Sequence, residues 1–322
     1  MAFSYSMDRE EALQHCITET TVASLPDPYR GKVREVYELN EETLGIVVSD
    51  RISAFDHIMR QAIPYKGQIL NQLAAFGFKK VSDLVDTHVL DVPHANVTIA
   101  KKCEPVPVEV VIRACLTGHA WRVYDSGKRE LCGVSLPDGM VENQKFEQPI
   151  LTPATKAKEG HDEDISEQEI LDQGIVDEET WSEIREKAFK VFERGQQVAA
   201  DHRLILVDTK YEFGLHNGDV TLIDEVHTAD SSRYFYADEY DERLEKGQRQ
   251  KQLSKEFLRE WLMAHDFQGL EGQTLPDLPD EFRWEVYERY VELFEKLTGQ
   301  DFEPTPVKNF NQTLEEVFAD YI

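Results

Sequence analysis

At 322 residues, with 41% apolar and 30% charged side chains, the chain has the length and composition of an ordinary globular protein, one large domain or two fused lobes. Its formal net charge of −27 repels nucleic acid and acidic membrane surfaces, so any anionic substrate needs a local island of cations. No run approaches the roughly 18 apolar residues of a membrane span.

The N-terminus, MAFSYSMDREEALQHC, lacks the cationic start and apolar core of a secretory signal. Four scattered cysteines fit neither a disulfide framework nor a zinc site, so a cytoplasmic protein with reduced thiols is expected. In chain order, Met7 to His15 reads as a helix. Pro26-Asp27-Pro28 then breaks the chain ahead of a strand from Lys32 to Leu39, a polar turn at Asn40-Glu41-Glu42 and a strand from Leu44 to Val48. A helix is expected over Ile69 to Phe76, followed by strands near Val89–Asp91, Thr98–Cys103 and Val108–Ile112. A loop-like stretch holding Pro149, Pro153 and Gly160 separates this strand-rich third from helices. Ser166 and Glu169 form a capping box, and Asp177 can cap a second helix with the apolar stripe Trp181, Ile184, Ala188, Val191, Phe192 and Val198. Beyond a hairpin from Leu204 to Val226, helices are expected near Lys255–Ala264, Glu281–Leu297 and Leu314–Ala319. The aromatics Phe282, Tyr287, Tyr290 and Phe294 recur at helical spacing and read as core.

The hairpin carries most of the chemistry. In Asp208-Thr209-Lys210-Tyr211-Glu212-Phe213 the charged residues alternate with uncharged ones, so Asp208, Lys210 and Glu212 share one face of a strand. A second apolar run then delivers Asp224 and Glu225. Three acids and a lysine at the mouth of an apolar hairpin suit a divalent metal beside an anionic phosphate, with a solvated charged face as the lesser alternative. A plain two-residue turn at Asn217-Gly218 opposes Tyr211 to Asp224 and so points Asp224 away from Glu212. A shared metal needs the other parity, from an odd-length loop or a bulge, and both carboxylates are therefore expected on one face.

Neither a Walker A sequence nor G-x-G-x-x-G is present. In their place, Gly31-Lys32-Val33-Arg34 puts two cations on one face of a strand just after a glycine, able to hold a polyphosphate. Arg113 ends an apolar strand, where a buried guanidinium needs an anion, either a substrate or a structural partner.

In order along the chain, GKVREVY, SDRISAFD, KGQILNQL, VIRACLTGHAW, LTPATKAKEGHDEDIS, LVDTKYEFG and IDEVHTADSSR resemble the SAICAR synthetase family, the phosphoribosylaminoimidazole-succinocarboxamide synthases. The resemblance runs from about Leu25 to the C-terminus, and the TPATKAKEGHDEDIS segment is similar to the longer, yeast-type members. It implies an α+β, two-lobed fold related to ATP-grasp. A small antiparallel N-terminal lobe over residues 1–105 clamps ATP, and an α/β lobe over 106–322 binds substrate and metal. The implied reaction joins L-aspartate to the carboxylate of carboxyaminoimidazole ribonucleotide (CAIR), giving SAICAR, ADP and phosphate with Mg2+. No nucleic-acid or membrane partner is implied, and the chain is expected as a monomer or small homo-oligomer. A small-molecule kinase is the rival.

By the same resemblance, Lys32, Arg34, Gly31 and Lys156 hold ATP, with Thr155 beside Lys156. Lys210 reaches the transferring phosphate, supported by Asp208, while Glu212 and Asp224 hold the metal; Asp162 and Glu163 are further metal contacts or merely solvated. Arg113 binds a carboxylate or phosphate of CAIR or aspartate, Asp230 and Arg233 contact CAIR, and Ser53, Asp56, Lys66 and Asn71 line the same cleft. His119 stands where relatives usually carry serine, so an imidazole contact replaces a hydroxyl one. Lys32, Arg34, Lys66, Arg113, Lys210 and Arg233 are expected to form the cationic island.

Overall fold

A computed structural model describes residues 8–156 and 163–322. Met7 and Asp162 lie outside the described residues. Two compact units emerge, and the chain passes between them more than once. The first comprises Met1–Ala75, Val89–Lys102 and Lys255–Ile322; the second comprises Phe76–His88 and Cys103–Ser254. The long segment of the second unit begins at Cys103, and the C-terminal helices from Lys255 on belong to the first unit.

The first unit is built on a five-stranded antiparallel sheet in the order Tyr29–Arg30, Arg34–Glu38, Thr43–Val48, Val97–Lys101, Val89–His94. Tyr37, Leu39, Val47, Val97 and Ile99 bury against Ile17, Val22, Phe310, Leu314 and Phe318, the last three from the helix Phe310–Phe318. The helix Asp280–Thr298 buries Phe282, Tyr287, Tyr290 and Phe294, the aromatic face that helical spacing predicts. Expected elements reappear here with shifted ends: Lys32–Leu39 contracts to Arg34–Glu38, and Ile69–Phe76 lengthens to the helix Lys66–Val81. Lys32 therefore lies in the loop between two strands, not on a strand face shared with Arg34.

In the second unit the long strand Leu204–His216 pairs with four antiparallel neighbours: Val108–Cys115, Asp219–Ile223, Ser232–Tyr236 and Glu104–Pro105. One face of it is apolar. Tyr211 and Phe213 are fully buried on that side, and the helix Glu178–Asp201 buries Trp181, Ile184, Ala188, Val191, Phe192 and Ala199. Val198, expected in that stripe, is only half-buried. Asp177 caps this helix through Thr180 N at 2.9 Å, and the Ser166–Glu169 capping box forms as expected. The stretch around Pro149 is not a loop but the edge strand Lys145–Leu151, whose register with Val108–Cys115 slips between Arg113 and Cys115. An edge strand with a bulge tolerates a proline that donates no ladder bond.

Candidate active site

Strand parity sorts the second unit's polar groups onto the face opposite that helix. Arg113, Asp208 and Arg233 stand directly opposed on three adjacent strands, and opposed residues project to the same side. Asp208 Oδ2 lies 3.2 Å from Arg113 Nη1 and 3.7 Å from Arg233 Nη1. Arg113 Nε also donates to Thr152 Oγ1 at 2.9 Å, and Arg233 Nη1 to Thr117 Oγ1 at 3.2 Å. All three charged residues are buried. One carboxylate between two guanidinium groups leaves this row one positive charge in excess, an arrangement suited to a substrate anion. Burial pulls the Arg113 guanidinium below its usual range, opposed by the Asp208 carboxylate. Asp208 therefore serves the arginines; the support of Lys210 expected of it comes from other acids.

The close approach of Arg233 depends on Gly118. Its φ is +57°, and a Cβ there would sit 2.5 Å from Arg233 Nη1. Gly118 opens the helix Gly118–Asp125, on which His119 Nε2 lies 2.7 Å from Asp164 Oδ2. His119 is thus paired with an acid, and that bond holds Asp164 below the usual carboxylate range.

Two residues along the long strand, Lys210 Nζ lies 2.5 Å from Glu212 Oε1, 3.0 Å from Asp224 Oδ2 and 3.6 Å from Glu109 Oε1. Lys156 binds the other oxygen of Glu212. Burial disfavours the Lys210 charge, but Glu212, Asp224 and Glu109 outweigh it and hold its pKa well above the ordinary lysine value. Glu212 and Asp224 do share a side, by a route other than the one expected. His216 opposes Asp219 across a regular two-residue turn, and Glu212 opposes Ile223. The strand then ends, and Asp224 adopts a left-handed backbone (φ 66°) that swings its carboxylate round to the Lys210 ammonium. Two carboxylates converging on one positive centre are the donor set that Mg2+ uses when phosphates and water complete its shell. No cluster of three or more His, Cys, Asp or Glu fit for a metal occurs among the described residues.

Asp230 lies in the loop after Asp224, its backbone N–H donating to Thr228 Oγ1 at 3.2 Å. In the same loop His227 is buried against Gly195, where a Cβ would meet its ring at 2.3 Å, and lies 2.6 Å from the Tyr211 hydroxyl. Burial drives the His227 pKa down to about 3 from an ordinary 6.5. The folded state keeps it neutral, while the unfolded chain takes up a proton below pH 6.5. Stability is therefore lost as pH falls from about 6.5 towards 3, with a slope of about 1.4 kcal/mol per pH unit. Urea unfolding across this window should show that slope flattened in His227→Gln; an unchanged slope would refute the assignment.

In the first unit, the loop Gly31–Arg34 joins the strands Tyr29–Arg30 and Arg34–Glu38. Lys32 Nζ pairs with Asp56, which with Phe55 forms a two-residue turn of positive φ between Ser53–Ala54 and His57–Ile58. Lys66 and Asn71 both lie in the interior of the first unit. Lys66 is fully buried, 5.7 Å from the Tyr290 ring centroid, and Asn71 accepts from Thr98 Oγ1 at 2.8 Å in the interior. The first turn of their helix packs inward because Gly67 N donates to the buried Asp50 carboxylate at 2.9 Å. Burial raises that carboxyl to about 7. The island of six cations thus loses Lys66; Arg113, Lys210 and Arg233 gather in the second unit, and Lys32 and Arg34 belong to the loop of the first.

Sequence reasoning missed Glu109, Glu35 and Arg51. Glu109 was open to discovery, since parity puts residues 109, 111 and 113 on one face. Arg51 and Glu35 offered no local signal.

The SAICAR synthetase family model matches residues 27–273. A phosphoribosylaminoimidazole-succinocarboxamide synthase from Bacteroides fragilis is 52% identical over 289 residues, 89% of this chain and 92% of the relative. One from Bacteroides thetaiotaomicron is 50% identical over 295 residues, 91% and 94% of the two chains. Among solved structures, the Saccharomyces cerevisiae SAICAR-synthase complexed with SAICAR superposes with a TM-score of 0.77 at 33% identity, covering 89% of this chain and all of that one. A SAICAR synthetase in complex with ADP gives 0.65 at 26%, covering 86% of this chain and all of that one. The family match, the superposition on solved members and the sequence identity over nine-tenths of the length agree, and the chain belongs to the SAICAR synthetase family.

Proposed function

We propose that the polar face of the long strand carries the family's reaction, the ATP-dependent joining of L-aspartate to the CAIR carboxylate in purine biosynthesis. The single observation behind the assignment of roles is the adjacency of two sub-clusters: the Arg113–Asp208–Arg233 row and the Lys210–Glu212–Asp224 group. A carboxylate resists attack by an amine, because its charge repels the nucleophile and oxide is a poor leaving group. A CAIR carboxylate oxygen therefore attacks the γ-phosphorus as the bond to ADP breaks. The aspartate amine then attacks the acyl carbon, losing a proton as phosphate departs.

Positioning and charge stabilisation dominate such phosphoryl transfer. Lys210 lies against the transferring phosphoryl group. Glu212 and Asp224 are the residues that would hold Mg2+, which when bound neutralises phosphate charge. Arg113 takes an anionic group of CAIR or aspartate, Arg233 and Asp230 contact CAIR, the latter as an acceptor for its donor groups, and the His119 imidazole donates to substrate. In the first unit, Gly31, Lys32 and Arg34 hold the ATP phosphates, with Ser53 and Asp56 beside them. Lys156, now on Glu212, is released to the nucleotide. These substrates are soluble metabolites, which fits a cytoplasmic monomer or small homo-oligomer, and no helix among the described residues is long and apolar enough to cross a membrane.

Family membership does not favour a small-molecule kinase. An assay with ATP, Mg2+, CAIR and aspartate, each omitted in turn, tests the reading. ADP release should require CAIR, and only the full mixture should yield SAICAR. Robust ADP production from a sugar hydroxyl without CAIR would overturn it.

A further inference from the structure

The loop Gly31–Arg34 has no side-chain core of its own, yet all four of its carbonyls are held. Arg51 Nη2 donates to Gly31 O at 3.0 Å and to Arg34 O at 3.4 Å, and Arg51 Nε donates to Lys32 O at 3.1 Å. Ser49 holds the remaining carbonyl, Val33 O, through its backbone N–H at 3.0 Å and its hydroxyl at 2.9 Å. Arg34 O also accepts from Gly31 N at 2.8 Å, closing the loop on itself. Arg51 Nη1 reaches the Thr18 carbonyl and lies 2.9 Å from Glu35 Oε1.

Glu35 is 1% exposed and saturated with donors. Its Oε2 accepts from Thr20 N at 2.8 Å and Thr20 Oγ1 at 2.5 Å, and Arg30 Nε lies 3.4 Å from Oε1. A carboxylate so placed fixes the guanidinium fork, and the fork fixes the loop. The planar five-donor guanidinium suits this task in a way that a lysine ammonium does not.

We propose that Arg51, oriented by Glu35, is a positioning residue for nucleotide binding. It presets the Gly31–Arg34 backbone and satisfies its carbonyl acceptors before an anionic polyphosphate arrives. The inference rests on the reading that this loop holds the ATP phosphates. Without Arg51, three of the loop's carbonyls and that of Thr18 lose a donor, and ordering the loop falls to the nucleotide itself. That loss of preorganisation raises the ATP requirement and leaves the other substrates alone.

Steady-state kinetics on full-length Arg51→Lys and Glu35→Gln, beside Lys32→Met as a control for the loop's role, provide the test. Arg51→Lys should raise KM for ATP about tenfold or more, with KM for CAIR and aspartate unchanged and kcat recovered at saturating ATP. Glu35→Gln should move the same parameter in the same direction by less. By calorimetry both variants should lose affinity for ADP but not for adenosine, because the loop contacts phosphate. If Lys32→Met raises KM for ATP and Arg51→Lys does not, the positioning role is overturned while the loop's role stands. If neither variant moves KM for ATP, the reading of the loop itself fails. Equal losses for all three substrates, or a lowered unfolding midpoint with unchanged kinetics, would make Arg51 merely structural and also overturn the proposal.

Discussion

Lys210→Met is expected to slow SAICAR formation by about 10²–10³-fold at saturating ATP, CAIR and aspartate, the scale of losing one preorganised donor to a developing charge. Methionine keeps most of the stem and removes only the ammonium. Three carboxylates, Glu109, Glu212 and Asp224, lie within 3.6 Å of that ammonium. In the parent protein they offset the cost of burying it. In the variant they face one another without that ammonium, with Lys156 on Glu212. The variant should therefore unfold at lower temperature without Mg2+ and recover more than the parent as Mg2+ is added, since a cation is then missing where the acids converge. Turnover within about threefold of the parent would remove Lys210 from the chemistry. An identical Mg2+ dependence of the melting temperature in both proteins would remove Glu212 and Asp224 from cation binding.

Asp208→Asn should cost stability as well as activity. The carboxylate sits between Arg113 and Arg233 with all three side chains only 10–11% exposed. Removing one partner of a buried pair costs about 3–5 kcal/mol, because the remaining charge stays out of water uncompensated. Here Arg113 and Arg233 would both lose the carboxylate they share. Urea unfolding should show a loss of that size, and the loss should shrink with added phosphate or CAIR, whose negative charge can stand in for the carboxylate. A variant within about 0.5 kcal/mol of the parent, the range of ordinary surface changes, would show that the row tolerates unbalanced charge and would sink the account of Asp208.

Local patterning determined a good deal of this protein. The alternation Asp208-Lys210-Glu212 separated a polar face from the Tyr211 and Phe213 face because a strand's side-chain period is two in any fold. The Ser166–Glu169 box and Asp177 marked two helix starts because capping is chemistry within four residues. Seven short motifs in order carried the family and with it the reaction. Strand ends and shared elements were less legible. Ser232–Tyr236 is a short strand behind a turn-rich segment, and Lys145–Leu151 contains a proline; neither reads as a strand until its partner is in place.

Only the tertiary structure decided which charges meet. Lys66 and Asn71 belong to a polar motif, yet Gly67 N and the Asp50 carboxylate fix their helix turn so that both point inward. Asp224 reaches Glu212's side through one left-handed residue at a strand end, a conformation that parity does not foresee. Glu35 and Arg51 lie 16 residues apart, and Arg113 and Asp208 lie 95 apart. Each was visible as a residue, but none announced its partner. A periodic pattern fixes which face a side chain takes, whereas a buried ion pair is set by strand pairing between distant segments, where desolvation demands an opposite charge wherever the fold places one.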